Sequence, residues 1–255
     1  MDLNIPEIRQ SLLADRLRAG QQIVAQDVAA EFGISVDTIR RDILALAAIG
    51  QAHRVRGGAV PPAAPLHVRQ RDSAPVDTAL VALVTTHIDD APTLLLDGGT
   101  TVLALVPALT VRPDRLVITP SPWVAIACQE RGIGVFLLGG TLSARGGIAT
   151  GAAALREVDG IAADIAVLGA CGLDAGFGLS SDDHAEALMK QAMQHAAAQT
   201  IVVTDAQKLG RKARHHTLHL HQIDHIFTNT RGDHSAALAA AGAQISAPDH
   251  PHHRS

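Results

Sequence analysis

Through the first fifty residues, apolar positions return at the three- and four-residue spacing of a helix. Ile8, Leu12, Leu13 and Leu17 predict a first helix ending near Ala19-Gly20, where glycine suits a helix stop. Val24, Val28, Ala29 and Phe32 predict a shorter second helix, and Gly33 a turn after it. Ser35 reads as the N-cap of a third helix. Its inner stripe is Ile39, Ile43 and Leu46, its outer face carries Thr38, Arg40 and Arg41, and Gly50 follows its end. Two β-prone pieces, Ala52–Val55 and Gly58–Val60, joined by Arg56-Gly57, predict a two-stranded ribbon.

Prolines at Pro61-Pro62-Ala63-Ala64-Pro65 favour an extended connector. Beyond it the chain alternates between strand-like apolar runs and helix-like stretches, as a mostly parallel sheet with helices on its faces requires. The strands are predicted at Thr93–Asp97, Arg115–Thr119, Gly134–Leu138, Ile165–Gly169, Thr200–Thr204 and Ile223–Thr228. The helices are predicted at Val102–Leu109, Pro122–Glu130, Ser181–Ala198 and Ser235–Ala241. The expected architecture is therefore an N-terminal helical domain with a ribbon over residues 1–60, a linker over 61–75, an α/β domain over 76–235, and a C-terminal helix and flexible tail over 236–255.

Composition narrows the class. With 47% hydrophobic and 18% charged residues in 255 positions, the chain can bury a sizeable core. Its apolar runs, such as Thr93–Leu96 and Val135–Leu138, are strand length and far short of the ~18–20 residues of a membrane helix. No membrane partner is expected. The start, Met1–Glu7, shows no secretory pattern, so a cytoplasmic location is expected. Cys128 and Cys171 sit far apart in apolar surroundings and suit buried free thiols. The net charge of −4 gives no global attraction to nucleic acid, but Ser35–Gly58 carries four arginines against Asp37 and Asp42.

That local charge fits DNA binding, in which a short second helix braces a third whose exposed side enters the major groove. Arg40 and Arg41 can meet guanine acceptors or phosphates, Thr38 and the Ser35 cap stand at the helix start, and Arg54 and Arg56 can grip the backbone or minor groove. A small helical domain with a solvated basic face is the plainer alternative, and the ribbon favours DNA.

The same residues carry a family resemblance. Arg9-Gln10, Val28-Ala29, Phe32-Gly33-Ile34-Ser35, Thr38-Ile39-Arg40-Arg41-Asp42, Leu46, Gly50 and Arg54-Val55-Arg56-Gly57-Gly58-Ala59 resemble the winged helix-turn-helix of the DeoR family of transcriptional regulators. The resemblance extends to about residue 230. It implies a repressor of a sugar or polyol catabolic operon, bound to double-stranded operator DNA as a homo-oligomer, dimer or tetramer. It also implies a C-terminal α/β domain similar to ribose-5-phosphate isomerase and glucosamine-6-phosphate deaminase, sensing a phosphorylated sugar effector, with no cofactor.

Candidate ligand residues follow from both readings. Asp97-Gly98-Gly99-Thr100-Thr101, between strand and helix, combines close backbone approach, hydroxyl donors and helix-start amides suited to an anion. Alone it is also an ordinary strand-to-helix turn; the resemblance implies a phosphate loop. Gly139-Gly140 and the run Gly169–Gly172 are further glycine-lined strand ends that either converge on one pocket or are plain turns. Ser121 is a candidate in Thr119-Pro120-Ser121, where the family's usual asparagine is replaced by proline. Glu186 and Lys190 form either a solvated i,i+4 pair or pocket groups, and the resemblance implies the pocket for Lys190. In Asp205-Ala206-Gln207-Lys208-Leu209-Gly210, Lys208 holds an anion or pairs with Asp205, and the family's two serines are absent.

Fourteen histidines, five of them within His215–His225, offer a metal reading. The alternation in His219-Leu220-His221 is instead expected of a half-exposed strand, so no metal site is assigned. Three functions fit these residues: a ligand-responsive repressor, a sugar-phosphate isomerase or deaminase using Asp97, Glu186 and Lys190 for acid/base work, and a metal-responsive regulator. No catalytic residue is assigned, because catalysis has no use for Arg40, Arg41 and the basic ribbon.

Overall fold

A computed structural model describes residues 3, 5–19, 21–55, 57–61, 75–143, 146–229 and 231–249. The chain divides into two compact units, Met1–Ala64 and Pro65–Ser255. The predicted tail beyond Asp249 and most of the predicted linker lie outside the described residues.

The first unit contains α1 (Pro6–Arg18), β1 (Ile23–Val24), α2 (Ala25–Phe32), α3 (Val36–Ala48), β2 (His53–Val55) and β3 (Gly58–Val60). Leu13 and Leu17 of α1, Val28 and Ala29 of α2, and Ile39, Ile43 and Leu46 of α3 form its core. Gly33 ends α2 at φ 66°, in the left-handed region that glycine enters without steric cost. Val24, expected inside the second helix, instead belongs to β1 and is exposed. It goes there because β1 pairs antiparallel with β3, making the predicted ribbon a three-stranded sheet in the order β1-β3-β2. That contact spans more than thirty residues, which helical periodicity cannot register.

The second unit is a parallel seven-stranded sheet. Its strands are β4 (Thr93–Leu96), β5 (Leu116–Thr119), β6 (Gly134–Leu137), β9 (Ala163–Gly169), β12 (Ala197–Thr204), β14 (His225–Thr228) and β15 (Ile245–Ser246). They lie in the order β15-β14-β12-β9-β4-β5-β6. The central strands are apolar at successive positions because both faces are covered. Leu95, Ala166, Leu168 and Val202 face one cluster, with Met189 and Met193. Leu94, Leu96, Val167 and Val203 face the other, with Leu80, Val84 and Val124. The helices are α4 (Thr78–His87), α5 (Thr100–Leu103), α6 (Pro122–Glu130), α7 (Ala152–Asp159), α8 (His184–His195) and α9 (Asp233–Ala240).

Several boundaries differ from expectation. The helix predicted at Val102–Leu109 is the four-residue α5 followed by a 3-10 turn at Val106–Ala108. The long helix predicted from Ser181 to Ala198 is split. Asp183 caps α8, its Oδ1 accepting from Ala185 N at 2.9 Å and Glu186 N at 3.1 Å, while Ser181 ends a strand. That strand, β11 (Gly178–Ser181), forms a small antiparallel sheet with β10 (Gly172–Asp174) and β13 (His215–Leu218). A two-stranded pair, β7 (Thr141–Leu142) with β8 (Ala149–Thr150), follows β6. His219-Leu220-His221 is not a strand: His219 precedes a 3-10 turn at Leu220–Gln222.

Candidate functional site

In the first unit, Ser35 caps α3 as expected, its Oγ accepting from Thr38 N at 3.1 Å and lying 2.8 Å from Thr38 Oγ1. Arg40 and Arg41 are exposed on the face opposite Ile39, Ile43 and Leu46. Arg40 Nη1 reaches Asp37 Oδ1 at 2.9 Å, a surface pair that releases the guanidinium at little cost. Arg54, exposed on β2, belongs to the ribbon; Arg56 lies outside the described residues. Behind this face, Arg9 on α1 grips Asp42 on α3, Nε to Oδ2 at 2.7 Å and Nη2 to Oδ1 at 3.3 Å. Gln10 Nε2 donates to the same carboxylate at 3.1 Å. The residue following the exposed arginines therefore fixes α3 from its buried side, a role the sequence reading did not assign.

The second unit forms its cavity where the strand order reverses about β4, the place at which open parallel sheets leave a crevice beyond their carboxyl ends. Its empty space, open solvent at the mouth included, amounts to about 480 Å³. Asp97, Gly98, Gly99, Thr100 and Thr101 line it from β4, and Glu186, Lys190 and Lys208 from α8 and the end of β12. The structure thus brings eight of the predicted ligand residues together. Because α5 is only four residues long, backbone amides of the turn and the threonine hydroxyls, rather than a helix dipole, are what it offers an anion. Gly99 holds φ 99°, and a Cβ on Gly98 would lie 2.2 Å from Ile148 Cγ2.

Lys190 does not pair with Glu186. Its Nζ donates to Asp97 Oδ2 and, at 2.7 Å, to Gly169 O. Gly169 N donates to the same Asp97 oxygen at 3.0 Å. Burial, the largest single influence, favours the neutral amine, but the Asp97 carboxylate together with Cys171 and Glu186 outweighs it, and Lys190 titrates above the usual lysine range. Glu186 instead holds the segment after β7, accepting from Ser143 Oγ and Gly146 N, each at 2.8 Å. Lys208 Nζ lies 3.4 Å from Asp205 Oδ2.

Four predicted residues stand elsewhere. Ser121 is fully buried and caps α6, its Oγ accepting from Val124 N at 3.4 Å. Gly139 N donates to Glu157 Oε2 at 2.7 Å, and Gly140 packs on Thr150. Gly172 starts β10, where a Cβ would meet Arg211 O at 2.5 Å, so its glycine answers to sheet packing. The third strand end contributes Gly169, Ala170 and Cys171 instead. Burial pushes the Cys171 thiol up, and the Cys128 thiol up to about 11. Gly146 and Ile148 also line the cavity and were missed; the pair Gly146-Gly147 is the one local signal of a close approach there.

Four histidine ring pairs, His87–His225, His184–His215, His216–His219 and His219–His221, have centroids 5.3, 5.3, 4.3 and 5.4 Å apart. No group of three His, Cys, Asp or Glu side chains able to hold a metal occurs among the described residues. Among those residues no helix is long and apolar enough to cross a membrane.

A helix-turn-helix with exposed arginines, carried on one chain with an α/β domain that opens a cavity at its switch point, is the organisation of a DNA-binding regulator with a second, sensor-type domain. The chain belongs to the DeoR family of transcriptional regulators: residues 9–63 match the DeoR-like helix-turn-helix domain and residues 78–230 the DeoR C terminal sensor domain. It is 27% identical over 230 residues to the HTH-type transcriptional regulator GlpR of Haloferax volcanii, covering 88% of this chain and 90% of that one. The glycerol-3-phosphate regulon repressor of Escherichia coli is 27% identical over 81% of this chain and 84% of its own. For the HTH-type transcriptional repressor GlcR of Bacillus subtilis the identity is 27%, over 88% of each chain. A solved ribose-5-phosphate isomerase in complex with phospho-erythronic acid covers 51% of each chain at 19% identity and a TM-score of 0.36, too distant to bear on function.

Proposed function

We propose that this protein represses a sugar or polyol catabolic operon and leaves its double-stranded operator when a phosphorylated sugar occupies the cavity at β4. The observation that carries this reading is the convergence of the Gly98–Thr101 turn with Lys190 and Lys208 in the sensor half of a chain whose other half is a helix-turn-helix. The names of the Escherichia coli and Bacillus subtilis relatives support the repressor part. The cavity serves recognition rather than turnover, because the Asp97 carboxylate that acid/base chemistry would need is held by Lys190 and the Gly169 amide. Ser35, Thr38, Arg40, Arg41, Arg54 and Arg56 form the DNA face. One helix reads only a few base pairs, so two copies across a two-fold axis, in a dimer or tetramer, supply specificity.

Fluorescence anisotropy on the upstream DNA at fixed salt, titrated with sugar phosphates and their unphosphorylated parents, tests the reading. Binding relieved by one phosphorylated compound supports it; no DNA binding under any condition overturns it. Thr100→Val and Lys208→Ala should bind DNA yet fail to release it with that compound.

A further inference from the structure

Four charged side chains line the sensor cavity: Asp97, Lys190, Glu186 and Lys208. Asp97 Oδ2 and Lys190 Nζ bind one another and Gly169, so together the two side chains add no net charge. What remains is one charge of each sign. Lys208 is partly exposed beside Asp205, a pair loose enough to yield its ammonium to an incoming anion.

Glu186 is different. It is 8% exposed, and its Oε1 takes both hydrogen bonds from the segment after β7. A Cβ on Gly146 would come 2.4 Å from that oxygen, so the carboxylate is locked in place. Its Oε2 receives no hydrogen bond from any described residue. A carboxylate oxygen fixed in the wall of a cavity with unused lone pairs gains from a donor on the ligand and opposes any second anion brought into the same space.

We infer that Glu186 sets the effector class: a compound with one anionic end and a remainder that carries hydrogen-bond donors, hydroxyl or ammonium, but no second negative group. Bisphosphates and phosphorylated sugar acids are rejected. The inference rests on the reading of this cavity as a sugar-phosphate site.

The test is calorimetric titration of the full-length protein, Glu186→Gln and Ser143→Ala. The probes are orthophosphate, glycerol 3-phosphate, ribose 5-phosphate, glucose 6-phosphate, glucosamine 6-phosphate, 6-phosphogluconate and fructose 1,6-bisphosphate. The wild type should bind at least one monophosphate roughly tenfold or more tightly than 6-phosphogluconate and the bisphosphate. Glutamine keeps an Oε1 acceptor for Ser143 and Gly146, so the segment stays held. Glu186→Gln should weaken that monophosphate by about tenfold to a hundredfold, the worth of a hydrogen bond to a charged group. Orthophosphate should bind as before or more tightly, and the doubly anionic compounds should gain. Ser143→Ala should move all probes in parallel. A wild-type preference for glucosamine 6-phosphate over glucose 6-phosphate, lost in Glu186→Gln, assigns the donor as ammonium; equal binding assigns it as hydroxyl.

Parallel weakening of orthophosphate and monophosphates in Glu186→Gln overturns the inference, leaving Glu186 a support for the segment. So does wild-type affinity for the bisphosphate equal to that for monophosphates. Both results leave the sugar-phosphate reading standing. Failure of the wild type to bind any probe, orthophosphate included, overturns that reading and the inference with it.

Discussion

Arg9 Nε lies 2.7 Å from Asp42 Oδ2, and both side chains are almost wholly removed from water. Asp42 follows directly on the exposed Arg40-Arg41 pair, so the contact that fixes α3 and the groups offered to DNA occupy consecutive positions on opposite faces of one helix. Removing one partner of a buried pair strands the other. Arg9→Ala should therefore destabilise the first unit by about 3–5 kcal/mol, seen as a fall in the denaturant needed to unfold it. A loss below about 1 kcal/mol would place the pair among ordinary surface bridges.

Gly58 shows why the ribbon carries two glycines. Gly57 turns at φ 88°, whereas a Cβ on Gly58 would lie 1.8 Å from Ile23 O, the backbone of β1. Gly58→Ala must separate β1 from β3. It should cost about 1–3 kcal/mol, the usual penalty of overpacking, and speed amide exchange at Ile23 and Ala59. Unchanged exchange there would refute the packing account.

Arg41→Ala should leave the unfolding temperature unchanged, since the side chain is exposed, while weakening operator binding by about 1–3 kcal/mol if the guanidinium reads a base. If it holds a phosphate, the slope of log affinity against log salt should fall by about 1. Wild-type affinity and slope together would remove Arg41 from the interface.

Lys190→Met leaves the Asp97 carboxylate buried without its cation, and should cost about 3–5 kcal/mol in chemical unfolding. Adding Asp97→Asn should recover part of the loss, because the two sites are coupled. The pH dependence follows from the raised Lys190 value. The pair's contribution is complete below the ordinary lysine value of 10.5 and disappears as pH climbs through the higher folded-state value. The stability gap between wild type and double variant should thus stay level from neutral pH upward and narrow only in strong alkali.

His225 titrates below the usual histidine range because it is partly buried, with His87, its ring centroid 5.3 Å away, adding to the effect. The unfolded chain therefore binds this proton more readily. Stability should be level above the ordinary value of 6.5, fall as pH drops through it, and level off again below the folded-state value. His216 acts in the same direction, chiefly through burial. Urea midpoints near pH 7.5 and 5.5 should show a smaller drop for His225→Gln than for the wild type; equal drops would assign the effect elsewhere.

The helices and strands legible beforehand were those with a strong local pattern. Ile39, Ile43 and Leu46 mark the inner face of α3, and the run at Thr93–Leu96 marks a strand buried on both sides. By contrast, α4 was overlooked because Thr-Ala-Leu-Val-Ala-Leu-Val is apolar nearly all round and shows no stripe. The cavity residues that were missed, Gly146 and Ile148, reach it through contacts such as Gly146 with Glu186, forty positions away.

The sequence by itself determined what is written in neighbouring residues: the Ser35 cap, the outward Arg40-Arg41 pair, the parallel-sheet class and the glycine turn at Gly98. These depend on periodicity and backbone freedom, which operate over a few residues. Only the tertiary structure decided that Lys190 answers Asp97 rather than Glu186, that Ser121 caps a helix, and that Gly172 serves sheet packing. Those outcomes depend on which strand ends adjoin once the order reverses at β4, and burial then makes each polar group take whatever partner lies within reach.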